Sequence, residues 1–505
     1  MKFQLASIII AALQLALLVE GDNAPATPGE VKDNELGKLL AYPDHHRDLK
    51  DRTECGERIM LINPKNLTLT SSPFLLYLES RGIGEARTII DEILPNLEFA
   101  VEMIKVCASC KSENLQSLDP YCDPNAYGYD VTHSGNVFLP VNINEDASTT
   151  IIDAKELQTW ASFRESARRV NDGVLMNTES SRILFNLLAA SYGLVSMNFD
   201  MTGYGESASL VPSNLQKISV GTATLPIYFK VQSMIHKKSG GKTKLGKEIS
   251  FTGYSEGGYN SIAAADAFQQ AGMNPRAFAG GAPIMIGSKA MYGLLNTMDS
   301  PASMIRLGIV AALPALSLSS TRTDVANYME DQDMLAGDRT RWLEMFTDPQ
   351  VPSRDEGLVA YAEYISVKYA DILALENFFS ETLRDTFGNE EIENPCIPES
   401  VTDHNDKLCE ALQDQDLTSI VLNANYDIDI CHSENDELIA IGNIPAGVPI
   451  TYSVQLGHVE SRIPCLFKLF SGAKLEKPEM RKTKSGKSKS SKGSKGAKSA
   501  KSERV

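Results

Sequence analysis

Residues 249–260 read ISFTGYSEGGYN, in which Ser255 occupies the pattern G-x-S-x-G. Alone the pattern is weak evidence, since an ordinary serine between glycines also matches it. Its surroundings favour a nucleophile, because residues 248–252 predict a strand and residues 261–271 predict a helix. A serine on a tight strand-to-helix turn is the arrangement of a nucleophile elbow, with glycines where a Cβ would collide with the backbone. The amides at the helix start then favour an oxyanion beside Ser255.

Strand and helix patterns alternate around this turn, which predicts a parallel sheet covered by helices. Before residue 286 the predicted strands are 136–141, 193–200, 248–252 and 276–282, and the predicted helices are 75–108, 183–192, 225–236 and 261–271. Residues 286 to about 415 are mostly helical in pattern and predict a cap. Its apolar stretch Ile305–Leu316 either covers an acyl pocket or forms the cap's own core. Beyond it, strands are predicted at 419–424 and 448–454 and a helix at 464–470.

Two further motifs extend the evidence from the elbow. Residues 200–207 read DMTGYGES and residues 279–283 read AGGAP. With the elbow, they make the chain similar to the serine α/β-hydrolase superfamily, most closely its secreted lipase and esterase branch, over roughly residues 130–285 and 418–470. The resemblance implies an α/β-hydrolase fold, a mostly parallel central sheet flanked by helices, with a helical cap insertion. It implies no cofactor and no metal.

The resemblance also implies a catalytic triad in the chain order Ser, Asp, His. Ser255 is then the nucleophile, and His458 in the loop LGHVE takes the base position rather than His404 or His432. In CHSENDEL, Asp436 takes the position of the acid. The competing carboxylates are Asp427, Asp429 and Glu434. An acid at this position holds the imidazole tautomer so that the base can accept the serine proton.

The oxyanion loop departs from the family pattern. The implied donors are the backbone amides of Glu256 and of Ser162 or Phe163. Ser162-Phe163 replaces the family's His-Gly, and loss of the glycine limits how closely this loop approaches. The amide of Glu256 is unaffected by that change.

Eight cysteines, an even number, predict disulfides in a secreted chain. They are Cys55, Cys107, Cys110, Cys122, Cys396, Cys409, Cys431 and Cys465. The family's acid and base loops meet at one end of the sheet, which implies a Cys431–Cys465 bond and leaves Cys396–Cys409 as a local bridge in the cap. Metal or redox use of the C-x-x-C formed by Cys107 and Cys110 is the minor alternative, because no second pair has zinc-ligand spacing.

The chain start predicts secretion. Lys2 precedes an apolar run from Leu5 to Val19, which indicates a signal peptide over residues 1–21; an uncleaved signal anchor is the alternative, although the run is short for a bilayer span. Asn66 begins a glycosylation sequon, Asn-Leu-Thr. We therefore expect a secreted protein, extracellular or cell-wall associated, with no transmembrane span in the mature chain.

The chain end is basic, although the whole chain carries a net charge of −17. Residues 473–505 hold 12 Lys or Arg and 3 Asp or Glu, and residues 484–502 contain no apolar residue larger than Ala. This composition predicts a disordered tail that binds an anionic surface or polysaccharide, or one that is simply solvated. No aromatic residue is interleaved with the lysines, which argues against nucleic-acid binding.

These observations predict six segments and one leading function. The segments are a signal peptide (1–21), a partly helical N-terminal extension (22–125), a hydrolase core in two parts (126–285 and 418–472), a helical cap (286–417) and the basic tail (473–505). The predicted function is hydrolysis of carboxylic esters, lipid or other acyl, through an acyl-enzyme. The alternatives are a peptidase on the same fold and an inactive wall- or surface-binding protein. The altered oxyanion loop favours the inactive protein, and the intact order Ser, Asp, His opposes it.

Overall fold

The computed structural model describes residues 55–56, 58–62, 98–110, 131–145, 148–163, 180–286, 314–331, 339–348, 364, 367–369, 371–372, 396, 406–473, 475 and 477–481. The predicted signal peptide, Asn66, Cys122, His404 and the tail beyond residue 481 lie outside these ranges. Most of the apolar stretch of the cap lies outside them as well. No helix within the described ranges is long and apolar enough to cross a membrane.

The described residues form a ten-stranded mixed sheet, in the order β1-β2-β3-β6-β5-β7-β8-β9-β10, with β4 paired to β3. Strands β6, β5, β7, β8, β9 and β10 are parallel, while β1, β2, β3 and β4 pair antiparallel. The strands are β1 (Arg58–Ile62), β2 (Ala100–Ala108), β3 (His133–Ile143), β4 (Thr149–Ile151), β5 (Glu156–Phe163), β6 (Val195–Phe199), β7 (Lys244–Tyr254), β8 (Asn274–Gly280), β9 (Ile428–Ser433) and β10 (Tyr452–Val454).

Helices cover both faces of this sheet. They are α1 (Ser180–Tyr192), α2 (Lys217–Lys238), α3 (Glu256–Gln270), α4 (Thr323–Asp331), α5 (Arg339–Thr347), α6 (Asp406–Asp414), α7 (Thr418–Asn423) and α8 (His458–Gly472). One core cluster joins α2 and α3 to side chains such as Phe251, and a second joins α1 and α8 to Trp160 and Phe278. Because both faces are covered, all of β6 and the last four residues of β7 and of β8 are buried on both sides of the sheet.

The helix predicted over residues 75–108 is wrong in the part that the structure describes. Residues 100–108 form strand β2, whose first seven residues are buried. Two polar residues three apart, Glu102 and Lys105, made its apolar spacing look helical. Both are buried and paired, Glu102 with Arg58 and Lys238, and Lys105 with Glu206. Burial alone would raise the pKa of Glu102, but its bonds to the two cations hold that pKa below its ordinary value.

The strand predicted at residues 419–424 is also wrong, since residues 418–423 form helix α7. The Asp416 carboxylate accepts the Thr418 amide at 2.7 Å and so starts the helix, and no residue of α7 is buried. The place beside β8 is taken by β9, which brings Cys431 opposite Gly280. Strand β10 covers only the end of the predicted strand 448–454.

Three described helices, α4, α5 and α6, lie in the predicted cap. Residues 314–319 are also helical, with Ala315 and Leu316 buried in the main core. The cap meets the core through buried polar contacts: Gln216 donates to Ser317 Oγ at 2.7 Å, and Tyr259 donates to the Gln415 carbonyl at 2.9 Å. Burial raises the pKa of Tyr259 well above its ordinary value, so its hydroxyl stays a donor.

The tail does not leave the body at residue 474 as predicted. Residues 477–481, which we call the strap, contact the edge where the parallel strands begin. Lys477 pairs with Glu98 at 2.6 Å, Met480 forms a β-bridge with Ala154, and the Arg481 amide donates to the Asp153 carbonyl. Since the described part of the chain stays packed to Arg481, any free tail begins beyond that residue.

Candidate active site

The elbow is strained where the sequence places the serine. Ser255 has φ 58° and ψ −124°, and among described non-glycine residues only Leu215 shares a positive φ. Such conformations cost about 1–3 kcal/mol and persist where the surroundings enforce them. Here the Ser255 amide donates to the Gly280 carbonyl at 2.8 Å. A Cβ on Gly253 would lie 2.2 Å from the Gly257 carbonyl oxygen, so this turn closes only with glycine.

Ser255, His458 and Asp436 form one hydrogen-bonded chain. Ser255 Oγ lies 2.9 Å from His458 Nε2, and His458 Nδ1 lies 2.7 Å from Asp436 Oδ2. The Asp436 side chain is fully buried and that of His458 is 7% exposed. Ser255 itself is half-buried at the carboxyl end of β7. The arrangement allows the imidazole to accept the serine proton while the carboxylate holds its tautomer.

The other oxygen of Asp436 is held by its own loop. Asp436 Oδ1 accepts the amides of Leu438 at 3.0 Å and Ile439 at 2.7 Å. The Ile439 carbonyl in turn accepts from His432 Nε2 at 2.9 Å. His432 is fully buried in β9, and burial lowers its pKa, so it stays a neutral donor. The carboxylate therefore has no freedom to turn away from His458.

The chain matches no protein-family model and no curated protein sequence. Among solved structures it is similar to the rice cell wall degrading esterase LipA from Xanthomonas oryzae, with 14% identity over 76% of this chain and 94% of that chain and a TM-score of 0.51. A hydrolase from Legionella pneumophila has 14% identity, coverages of 78% and 96% and a TM-score of 0.48. Candida antarctica lipase A has 14% identity, coverages of 76% and 80% and a TM-score of 0.44.

The LipA match and the parallel sheet order decide the architecture. This chain has the α/β-hydrolase fold. In it, ligand and catalytic groups meet beyond the carboxyl ends of the parallel strands. Ser255 follows β7, and Asp436 follows β9. His458 begins α8, shortly after β10.

The predicted oxyanion residues lie beside the elbow of this α/β-hydrolase fold. Glu256 is the first residue of α3, and Ser162 on β5 pairs with Thr252, three residues before Ser255. Ser162 Oγ accepts from the side-chain amides of Asn186 at 2.9 Å and Asn198 at 3.2 Å. Phe163 ends β5 and is buried. The residues after it lie outside the described ranges.

Two predicted disulfides are confirmed. Cys431 is bonded to Cys465, which joins β9 to α8 between the acid and base loops, and Cys396 is bonded to Cys409. Cys55 is bonded to Cys107, a pairing that the sequence did not indicate. Within the described ranges one set of potential metal ligands converges, Cys55, Cys107 and Glu206, but its sulfurs are bonded to each other and offer no thiolate.

The competing acids are occupied elsewhere or placed apart from His458. Asp427 pairs with Arg276 at 3.2 Å and is largely exposed. Asp429 lies within β9 opposite Phe278, and Glu434 is exposed to solvent. In DMTGYGES, Asp200 accepts from Ser134 Oγ at 2.5 Å, and that bond ties this loop to β3. This motif contributes to the architecture around the site.

Sequence reasoning missed three residues that support the positions of His458 and Asp436. Tyr254 donates to the His458 carbonyl, Glu437 accepts the His458 amide, and His432 supports the acid loop. Tyr254 and Glu437 are the chain neighbours of Ser255 and Asp436. That adjacency was the signal in the sequence, but no pattern shows that their side chains reach His458.

Proposed function

We propose that the protein is a serine hydrolase that cleaves carboxylic esters through an acyl-enzyme. The observation that carries the proposal is the hydrogen-bonded chain from Ser255 Oγ through His458 to the buried carboxylate of Asp436. Ser255 is the nucleophile, His458 the general base and acid, and Asp436 the group that orients His458.

In acylation, Ser255 Oγ attacks the ester carbonyl carbon while its proton passes to His458 Nε2. The resulting imidazolium donates that proton to the leaving alkoxide, so an alcohol departs and the acyl group stays on Ser255. A water molecule then attacks the acyl carbon and gives its proton to His458, which returns it to Ser255 as the carboxylic acid leaves. Asp436 stays ionised throughout and stabilises the imidazolium.

The oxyanion formed in both steps needs donors at the carboxyl edge. The Glu256 amide is the first donor, because it begins a 15-residue helix whose positive end faces Ser255. The end of β5, Ser162 and Phe163, supplies the second. Two asparagine amides that donate to Ser162 Oγ hold this strand end in place.

An ester is the favoured substrate, and LipA, which shares the fold, is an esterase. The test is hydrolysis of p-nitrophenyl esters from acetate to palmitate beside peptide p-nitroanilides, with a fluorophosphonate probe mapped by peptide mass spectrometry. We expect ester hydrolysis and a modified Ser255. Faster cleavage of the anilides would assign a peptidase, and a protein inert to both substrates and probe would be the inactive binding protein.

The three described disulfides support an oxidising compartment, since such bonds persist outside the reducing cytosol. We therefore propose a secreted, extracellular or wall-associated protein whose signal peptide ends near residue 21 and whose Asn66 carries a glycan. The basic tail of this protein begins after Arg481, the last residue of the strap.

We predict that the tail beyond the strap binds anionic polysaccharide and is dispensable for catalysis. A protein ending at Arg481 should keep full esterase activity but lose retention on polygalacturonate beads at low salt. Retention of the full chain should fall steeply near 1 M salt, where the Debye length is about 3 Å.

A protein ending at Gly472 is the control for the strap. We expect it to unfold more easily by about 1–2 kcal/mol, because it loses several exposed ion pairs and a β-bridge. Equal retention of the full chain and the Arg481 truncation would contradict the binding role.

A further inference from the structure

Side chains hold the main chain of His458 at both of its polar groups. The His458 amide donates to Glu437 Oε2 at 2.8 Å, and the His458 carbonyl accepts from the Tyr254 hydroxyl at 2.5 Å. We call Tyr254 and Glu437 the main-chain clamp. The elbow thus binds this histidine twice, through Ser255 at the ring and Tyr254 at the carbonyl. The acid loop also binds it twice, through Asp436 at the ring and Glu437 at the amide.

The residues around Tyr254 pack closely against its ring. The residue is buried, and its ring centroid lies 5.1 Å from that of His458. It also packs against the two glycines of AGGAP. A Cβ on Gly280 would lie 2.7 Å from Tyr254 Cδ2, and a Cβ on Gly281, whose φ is +50°, would lie 2.8 Å from Tyr254 Cζ. Both glycines are therefore needed for the ring to reach the His458 carbonyl.

Glu437 accepts a hydrogen bond from an amide that helix α8 cannot pair by itself. His458 is the first residue of α8, so its amide has no acceptor within the helix. The Glu437 carboxylate accepts this proton, and a negative charge at a helix N-terminus is favourable. Gly457, which precedes His458, forms no side-chain cap of its own. The orientation of the first helical residue is thus set by a side chain from the acid loop.

Resting on the proposed function, we propose that Tyr254 and Glu437 are positioning residues that aim the imidazole of His458 between Ser255 and Asp436. The position of the His458 ring depends on the orientation of its main chain. A small rotation of that main chain therefore moves Nε2 away from Ser255 Oγ. Misplacing a catalytic group by about 1 Å is enough to lower rate substantially. Because the clamp acts on the base and not on substrate, its loss should lower kcat and leave KM unchanged.

Tyr254→Phe tests the carbonyl half of the clamp, because it removes one hydroxyl and keeps the ring. Tyr228→Phe is the matched control, since the buried Tyr228 hydroxyl donates to the Gly246 carbonyl at 2.7 Å, at the amino end of β7 and so opposite to the end that Ser255 follows. We expect Tyr254→Phe to lower kcat for p-nitrophenyl butyrate about tenfold with KM within about twofold, as the loss of one buried hydrogen bond allows. Tyr228→Phe should leave both constants unchanged.

Two substitutions of Glu437, by Gln and by Ala, test the amide half of the clamp. Glu437→Gln keeps an oxygen that accepts the His458 amide, so it should stay within about twofold of wild-type kcat. Glu437→Ala removes the acceptor and should lose about tenfold. Equal losses in Glu437→Gln and Glu437→Ala would overturn this half of the clamp, because the charge would then be the cause. Wild-type kcat in Tyr254→Phe, or an equal loss in Tyr228→Phe, would overturn the other half. A wild-type protein without esterase activity or Ser255 labelling removes the proposed function itself, which separates the two failures.

Discussion

Replacing Ser255 by Ala should abolish ester hydrolysis and fluorophosphonate labelling while the protein stays folded. The expected loss in kcat is about 10³-fold or more, because removing the nucleophile leaves only binding and the oxyanion donors. Folding should be retained because Ala keeps the Cβ that Ser255 already accommodates at φ 58°. The measurements are initial rates on p-nitrophenyl butyrate, probe labelling, and thermal unfolding by circular dichroism.

Ser250→Ala is the matched control for this experiment. Ser250 is half-buried on β7, five residues before Ser255, and pairs with Arg276 on β8. It should keep wild-type rates and labelling. Full activity in Ser255→Ala would eliminate the proposed mechanism, and an unfolded Ser255→Ala protein would require the chemistry to be judged from probe labelling of the wild type.

Replacing Asp436 by Asn should lower kcat about 10⁴-fold. Both carboxylate oxygens are used, Oδ1 by the amides of Leu438 and Ile439 and Oδ2 by His458 Nδ1. Because the loop amides require an acceptor, the Asn amide nitrogen must face His458 Nδ1. The imidazole then carries its proton on Nε2, from which it cannot accept the proton of Ser255.

Asp429→Asn and Glu434→Gln are the controls, because both residues competed for the acid position in the sequence. Each should stay within about twofold of wild-type kcat, since neither contacts His458. The three variants are compared by kcat and by the rate of fluorophosphonate labelling. A large loss in either control, with Asp436→Asn active, would show that the acid had been assigned to the wrong carboxylate.

Local patterns predicted much of the centre of this molecule. Strands and helices between residues 180 and 280 follow the predicted order, because long apolar segments with clear periodicity leave little choice of structure. Strands β4 and β5 were not predicted, and Ser162 and Phe163 of the predicted oxyanion loop belong to β5. Other secondary-structure elements could not be predicted from local sequence patterns. Residues 100–108 form a strand only because β1 and β3 flank it and distant cations neutralise Glu102.

The motifs GYSEG, DMTGYGES and AGGAP, through the family resemblance that they carry, pointed to the α/β-hydrolase architecture and nominated Ser255, Asp436 and His458. Tertiary structure alone decided that α7 is a helix, that Cys55 bonds Cys107, that the strap packs to Arg481 and that Tyr254 and Glu437 reach His458. The physical reason is separation along the chain. Tyr254 and His458 are 204 residues apart, and a contact of that range leaves no periodic trace in the sequence around either residue.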